Sequence, residues 1–161
     1  MNTMLTKIAE RLDGWVLRQN LEAAAAGMMQ LRPCRIRLLG QMALLEQQAP
    51  LSLALTDDVD VYANYDHSVE QEFRRLLAIE GKQLDPVGHE VWMPRTTRYS
   101  AAFSGELVTL EVAELEAVLV SKALKAPTKN AALIAEYLAA GPSERFVELS
   151  KHHDVDLEQF V

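Results

Sequence analysis

Leu55-Thr56-Asp57-Asp58-Val59-Asp60-Val61-Tyr62 is the stretch that decides the fold. Strand side chains alternate between faces, so residues i and i+2 share one. As a strand, this stretch sets Asp58 and Asp60 side by side and turns Val59 and Val61 back into a core. Two carboxylates this close repel unless a cation sits between them, and hard oxygen ligands suit Mg²⁺ or Mn²⁺. Upstream, Arg35-Ile36-Arg37-Leu38-Leu39-Gly40 reads as another strand, ending in glycine, with helical Gln41-Met42-Ala43-Leu44-Leu45 after it. A glycine at a strand-to-helix turn lets backbone amides approach a phosphate.

Periodicity extends this outward. Apolar steps of three and four predict a helix over 5–26, weakened at Gly14. A helix over 41–48 is closed by Pro50, and the Asp-x-Asp strand covers 53–63. A helix over 68–79 has Ser68 as its predicted N-cap and Gly81 as its terminator. A turn over 84–88 precedes strands over 89–93, 99–103 and 107–112, the last two joined through Ser104-Gly105. Helices over 113–126, 130–140 and 143–153 finish the chain, punctuated by Pro127 and Gly141-Pro142. The order predicts an α+β fold, a mixed β-sheet flanked by helices with a helical C-terminal part. A chain of 161 residues holds one domain with a real core and hardly two. Within it, 1–30 is an N-terminal helical region, 35–112 an α/β core and 113–161 the C-terminal helices.

A net charge of −7 argues against a general nucleic-acid binder, which needs a basic face. It leaves room for a nucleotide, because metal ions supply positive charge. Cys34 is the only cysteine, so no intrachain disulfide or cysteine-based zinc site is expected. Glu10, Arg11 and Asp13 interrupt the start of the chain before any long apolar run, which predicts no signal peptide. No segment approaches the ~18 apolar residues of a membrane span, so a cytoplasmic protein is expected.

Strand, glycine turn, helix and Asp-x-Asp strand, with Thr56 two residues before Asp58, together resemble the nucleotidyltransferase superfamily of polymerase-beta-like fold. The similarity is to its small prokaryotic branch, related to abortive-infection type toxins. Leu115-Glu116-Ala117-Val118-Leu119-Val120-Ser121-Lys122-Ala123-Leu124-Lys125-Ala126 resembles that branch's lysine-bearing helix. The resemblance implies that Asp58 and Asp60 are catalytic and bind Mg²⁺ or Mn²⁺. It implies that Gly40 and Gln41 line the phosphate loop and that Lys122 meets the nucleotide phosphates. A third acid is expected on a neighbouring strand: Glu111, which alternates with apolar neighbours, or else Glu90. The implied substrate is an NTP, with a hydroxyl on a protein, RNA or small molecule as acceptor, and a partner protein or homo-oligomer in attendance.

Two positions depart from the family. Asn130 stands where an aspartate opens the next helix, and an amide neither takes a proton nor carries ligand charge. Gly40-Gln41 replaces a Gly-Ser or Gly-Gly turn. Two function classes therefore stay open. One is an active metal-dependent nucleotidyltransferase; the other is a catalytically degenerate binding or regulatory module, as in a toxin–antitoxin pair. Trp92 and Tyr99 with Arg95 and Arg98 also suit stacking on a nucleotide or nucleic acid. His152-His153-Asp154-x-Asp156 has the composition of a metal site near a chain end.

Overall fold

A computed structural model describes residues 2–161. The sheet has the order β3-β2-β1-β5-β4 and is mixed. β1 (Cys34–Leu39) lies at its centre, antiparallel to β2 (Asp58–Ala63) and parallel to β5 (Val108–Ala113). β4 (Tyr99–Ser104) closes one edge against β5, with a register shift between Ala101 and Phe103. β3 (Gln83–Leu84) closes the other, parallel to β2. Six α-helices accompany the sheet: α1 (Met4–Ala25), α2 (Gly40–Glu46), α3 (His67–Ile79), α4 (Leu115–Lys125), α5 (Ala131–Ala139) and α6 (Glu144–His152). The α+β class read from the sequence is the observed one. Among the described residues, no helix is long and apolar enough to cross a membrane.

Alternation gives the sheet two unlike faces. Ile36, Leu38, Val59, Val61, Leu110 and Val112 are buried in one core with Leu5, Ile8, Leu12 and Val16 of α1 and Val69, Phe73 and Leu77 of α3. The opposite face carries Arg35, Arg37, Asp58, Asp60, Tyr62 and Glu111. α1 runs unbroken through Gly14, because its apolar stripe is anchored on both sides of that residue. Its start is capped by the Thr3 side chain, which accepts from Thr6 N.

Three predicted elements change. Residues 51–57 are irregular rather than strand, and Leu55 stands out at 88% exposed. β1 pairs with β2 only from Asp60 on and β3 only from Asp58 on, so residues 51–57 lie in no ladder. The expected turn at 84–88 begins as β3, whose pairing sets Asp58 opposite Gln83 and Val59 opposite Leu84. The expected strand over 89–93 is a 3₁₀ turn (Gly88–Glu90) leading into an extended segment without a ladder. That segment is held by other means. Ser121 Oγ donates to Trp92 O, and Arg145 Nη2 donates to Thr96 O at 2.8 Å while binding Glu114 through Nε at 2.8 Å.

A buried carboxylate fixes the β4–β5 hairpin to α1. Asp13, 8% exposed, accepts from the backbone N–H groups of Glu106, Leu107 and Val108, the last two at 2.8 and 2.9 Å. Gly105 is required beside it, because a Cβ there would collide with the Asp13 carboxyl. Removing that acceptor leaves backbone donors buried and unpaired, which costs about 1–3 kcal/mol per group. Asp13→Ala is expected to destabilise the protein by about 3 kcal/mol. A urea denaturation midpoint unchanged by Asp13→Ala would refute this anchoring role.

Candidate active site

β2 delivers Asp58 and Asp60 to the rim and floor of a cavity of about 630 Å³. Gly40 and Gln41, from the β1–α2 junction, lie on the same wall. Lys122 and Lys125 of α4 line it as well, with Lys129 and Asn130 from the connection to α5. Glu90, Val91, Trp92 and Met93 of the extended segment close a third side.

Asp60 is wedged between two glycines. Gly40 takes a left-handed φ of 61°, and a Cβ on it would lie 2.5 Å from Asp60 Oδ2. Gly88 packs from the other side, where a Cβ would lie 2.9 Å from both Asp60 Cα and Oδ1. Asp60 Oδ1 is buried and receives no hydrogen bond. Burial, hydrogen-bond proximity to Asp85, and the negative charges of Asp85 and Asp58 push the Asp60 carboxyl up to about 6, against the pull of Lys122. Lys122 is held below the ordinary lysine range by burial and by Lys129, with Asp60 drawing it back up.

Asp58 is the more exposed of the pair. Its Oδ1 accepts from Gln83 Nε2 at 2.7 Å, and its backbone N–H donates to Thr56 Oγ1 at 3.1 Å. Lys82 Nζ bonds Asp57 Oδ1 and Thr56 O, both at 3.1 Å, tying down the approach to β2. Gln41 Nε2 donates to Ala54 O at 2.9 Å, so this side chain steadies the 51–57 loop at the cavity mouth.

The structure brings together Gly40, Gln41, Asp58, Asp60 and Lys122, but not Glu111. Glu111 does not line the cavity. Its carboxylate meets Arg37 Nε at 3.1 Å and Arg35 Nε at 3.4 Å. It shares the sheet face of Asp60, but Leu39 pairs with Asp60 whereas Arg37 pairs with Glu111. Two residues along and two strands across is roughly 12 Å at the backbone. Glu90 lines the cavity, with a 68% exposed side chain 3.9 Å from His89. The carboxylate beside Asp60 is Asp85, placed there by the β3 pairing and by its N–H donating to Val59 O at 3.0 Å. The sequence disguises it, because Leu84-Asp85-Pro86-Val87-Gly88 reads as an ordinary turn. Lys129 and Gly88 are likewise additions.

Asn130 lines the cavity, but its Nδ2 donates to Ala126 O at 3.0 Å, a bond that no carboxylate could make. Trp92 meets His153 edge-on at 5.1 Å between centroids and has Lys125 Nζ 5.2 Å from its ring centre. Among the described residues, no group of three or more His, Cys, Asp or Glu is arranged to hold a metal ion unaided, the His152-His153 run included. Asp58, Asp60 and Asp85 nevertheless offer hard oxygen donors, one of them buried without a partner. A divalent cation there would complete its shell with water and substrate oxygens.

A scan against protein-family models and searches of curated proteins and solved structures found no match.

The raised Asp60 has a sign that stability measurements read directly. The folded protein binds this proton more tightly than the unfolded chain, so stability falls as pH rises from about 4 to about 6 and stays lowered above. Asp60→Asn removes the charge and supplies an amide donor towards Asp85. Its melting temperature is expected to exceed that of the wild type at pH 7.5, with the gap closing by pH 4. An equal gap at both pH values would remove the electrostatic account.

Proposed function

We propose that the protein is a metal-dependent nucleotidyltransferase of the polymerase-beta-like type, transferring a nucleoside monophosphate from an NTP to a hydroxyl. The observation that carries this reading is Asp60, its Oδ1 buried and unpartnered between Gly40 and Gly88, beside Asp85 and facing Lys122. Such an arrangement costs stability, and strain of this kind collects where a protein binds or reacts. Asp58 and Asp60, with Asp85, would hold Mg²⁺ or Mn²⁺. When bound, the ion supplies Lewis-acid stabilisation of charge on the phosphates.

The chain's own residues account for the rest. Lys122, Lys125 and Lys129, which line the same cavity, neutralise the polyphosphate, with Lys122 half-buried where its charge is least screened. The left-handed turn at Gly40 leaves no side chain between the backbone and Asp60. Asp85, beside Asp60, adds a third hard oxygen donor to those of Asp58 and Asp60.

A second reading, a nucleotide-binding or regulatory module without transfer, is favoured by Asn130, whose amide is committed to Ala126 O. The two readings part on one experiment. The protein is incubated with each α-labelled NTP, Mn²⁺ or Mg²⁺, and total cellular RNA and protein. Label transfer that falls roughly 100-fold or more in Asp60→Asn and Asp85→Asn supports the enzyme. NTP binding without transfer supports the module. In calorimetry, metal and NTP are expected to bind with positive coupling, lost in the Asp58→Asn/Asp60→Asn double variant. Lys122→Ala is expected to weaken NTP binding by roughly tenfold, the loss of one charge-assisted contact. Metal affinity untouched by the double variant would sink both readings.

A further inference from the structure

We propose that the groove between α1 and α3 binds a phosphate-type oxyanion, held by Arg11 and Arg18 astride Gly14. The groove has a volume of about 360 Å³, and its lining includes Arg11, Gly14 and Arg18 of α1 with Glu72, Arg75 and Leu76 of α3. It shares no residue with the cavity around Asp60, so this site stands apart from nucleotidyl transfer.

Gly14 lies in the interior of a 22-residue helix, where glycine is less favourable than alanine. Its backbone does not require glycine, because the left-handed φ values belong to Gly27, Gly40, Gly81 and Gly141. Core packing does not require it either. Apart from the helix's own backbone, the one atom that a Cβ there would meet within 4 Å is Arg18 Nη1, at 3.3 Å. The missing side chain leaves its space to a guanidinium. Helix residues three and four apart are surface neighbours, so Arg11 and Arg18 flank Gly14 on one face. Their backbones are two turns apart, about 10 Å along the axis. Arg18 folds back over the glycine towards Arg11 and narrows that gap.

Glu72 shows how this groove takes an oxyanion. Its side chain is 10% exposed, and Arg75 clasps it through Nε to Oε1 and Nη2 to Oε2, both at 2.7 Å. Those bonds hold the Glu72 carboxyl below its ordinary range, and the charges of Arg75, Arg11 and Arg18 add to the effect against desolvation. Three guanidinium groups therefore act on one spot, and Glu72 occupies only Arg75. Among the described residues, Arg11 and Arg18 form no salt bridge, although Glu10 also lines the groove.

Two unspent guanidinium charges suit a dianion. A phosphate group carries about −1.5 to −2 charges at neutral pH and at least three acceptor oxygens. Its tetrahedral edges meet two forks in different planes, whereas a planar carboxylate offers the single edge that Glu72 gives Arg75. The ligand is inorganic phosphate or a phosphomonoester carried by a partner.

The test follows the site residue by residue. Inorganic phosphate is titrated into the protein in chloride buffer at constant ionic strength, and the Gly14 amide and arginine Nε–H resonances are followed by heteronuclear NMR. Those of Gly14, Arg11 and Arg18 are expected to shift saturably. Arg11→Gln should weaken binding at least about tenfold, the loss of one charge-assisted contact. Glu10→Gln should tighten it by removing a like charge from the groove. Gly14→Ala separates this role from a structural one. It should raise the melting temperature measured without phosphate, as helix propensity dictates, and still weaken phosphate binding. A capped alanine pentapeptide with a central phosphoserine distinguishes the sources, with its unphosphorylated form as control. Tighter binding of the phosphopeptide than of free phosphate assigns a phosphorylated partner, and the reverse order assigns the free ion. Shifts confined to the residues around Asp60, no saturation at Gly14, or Arg11→Gln and Gly14→Ala variants that bind like wild type would overturn the proposal.

Discussion

Everything at the cavity depends on how closely the backbone approaches Asp60. Two glycines touch this one carboxylate, and at neither position does a Cβ fit. Gly40 fixes the angle at which α2 leaves the central strand, and Gly88 pins the 3₁₀ turn that carries the chain towards Trp92. A fully hydrogen-bonded carboxylate would have been more stable. Instead, the contacts that bury Asp60 Oδ1 leave that atom without a donor and crowd the carboxyl against Asp85. The packing that builds the cavity and the electrostatic stress inside it are one constraint.

The elements legible in the sequence are those whose signal is local. Strict alternation marked β1, β2 and β5, and the helix expected over 143–153 is α6, whose cap Ser143 accepts from Phe146 N. The failures involve partners remote in sequence. Residues 53–57 have strand composition but no strand beside them, so Leu55 ends in solvent. His89 to Met93 alternates as a strand would, yet Gly88 is held against Asp60 and Trp92 O is taken by Ser121. Ladder pairing is decided by what lies alongside, and alternation is silent about that.

The exchange of Glu111 for Asp85 has the same origin. Alternation correctly put Glu111 on the face of Asp60. It could not say that β1 separates the two strands, nor that Glu111 stands a row away beside two arginines. Asp85 was hidden for the converse reason. A strand of two residues is too short to alternate, and an Asp-Pro step reads as a turn wherever it occurs. Parallel pairing with β2 turns that step into a second carboxylate at the Asp-x-Asp pair.

Charge separation links these observations. The chain is acidic overall, yet three lysines, Lys122, Lys125 and Lys129, line the same cavity as Asp58, Asp60 and Asp85. Opposite charges lining one cavity would pair into salt bridges if the side chains were free to meet. The run of buried residues along α4, Ala117 to Ser121, fixes its register, and the two glycines fix that of Asp60. No salt bridge joins a cavity lysine to a cavity aspartate among the described residues. Asn130 belongs to the same device. A carboxylate there would sit next to Lys129 and draw it inward, whereas the amide commits its donor to Ala126 O and leaves the lysine wall uncompensated. An amide at this position therefore adds no negative charge to the side of the cavity lined by Lys122 and Lys129.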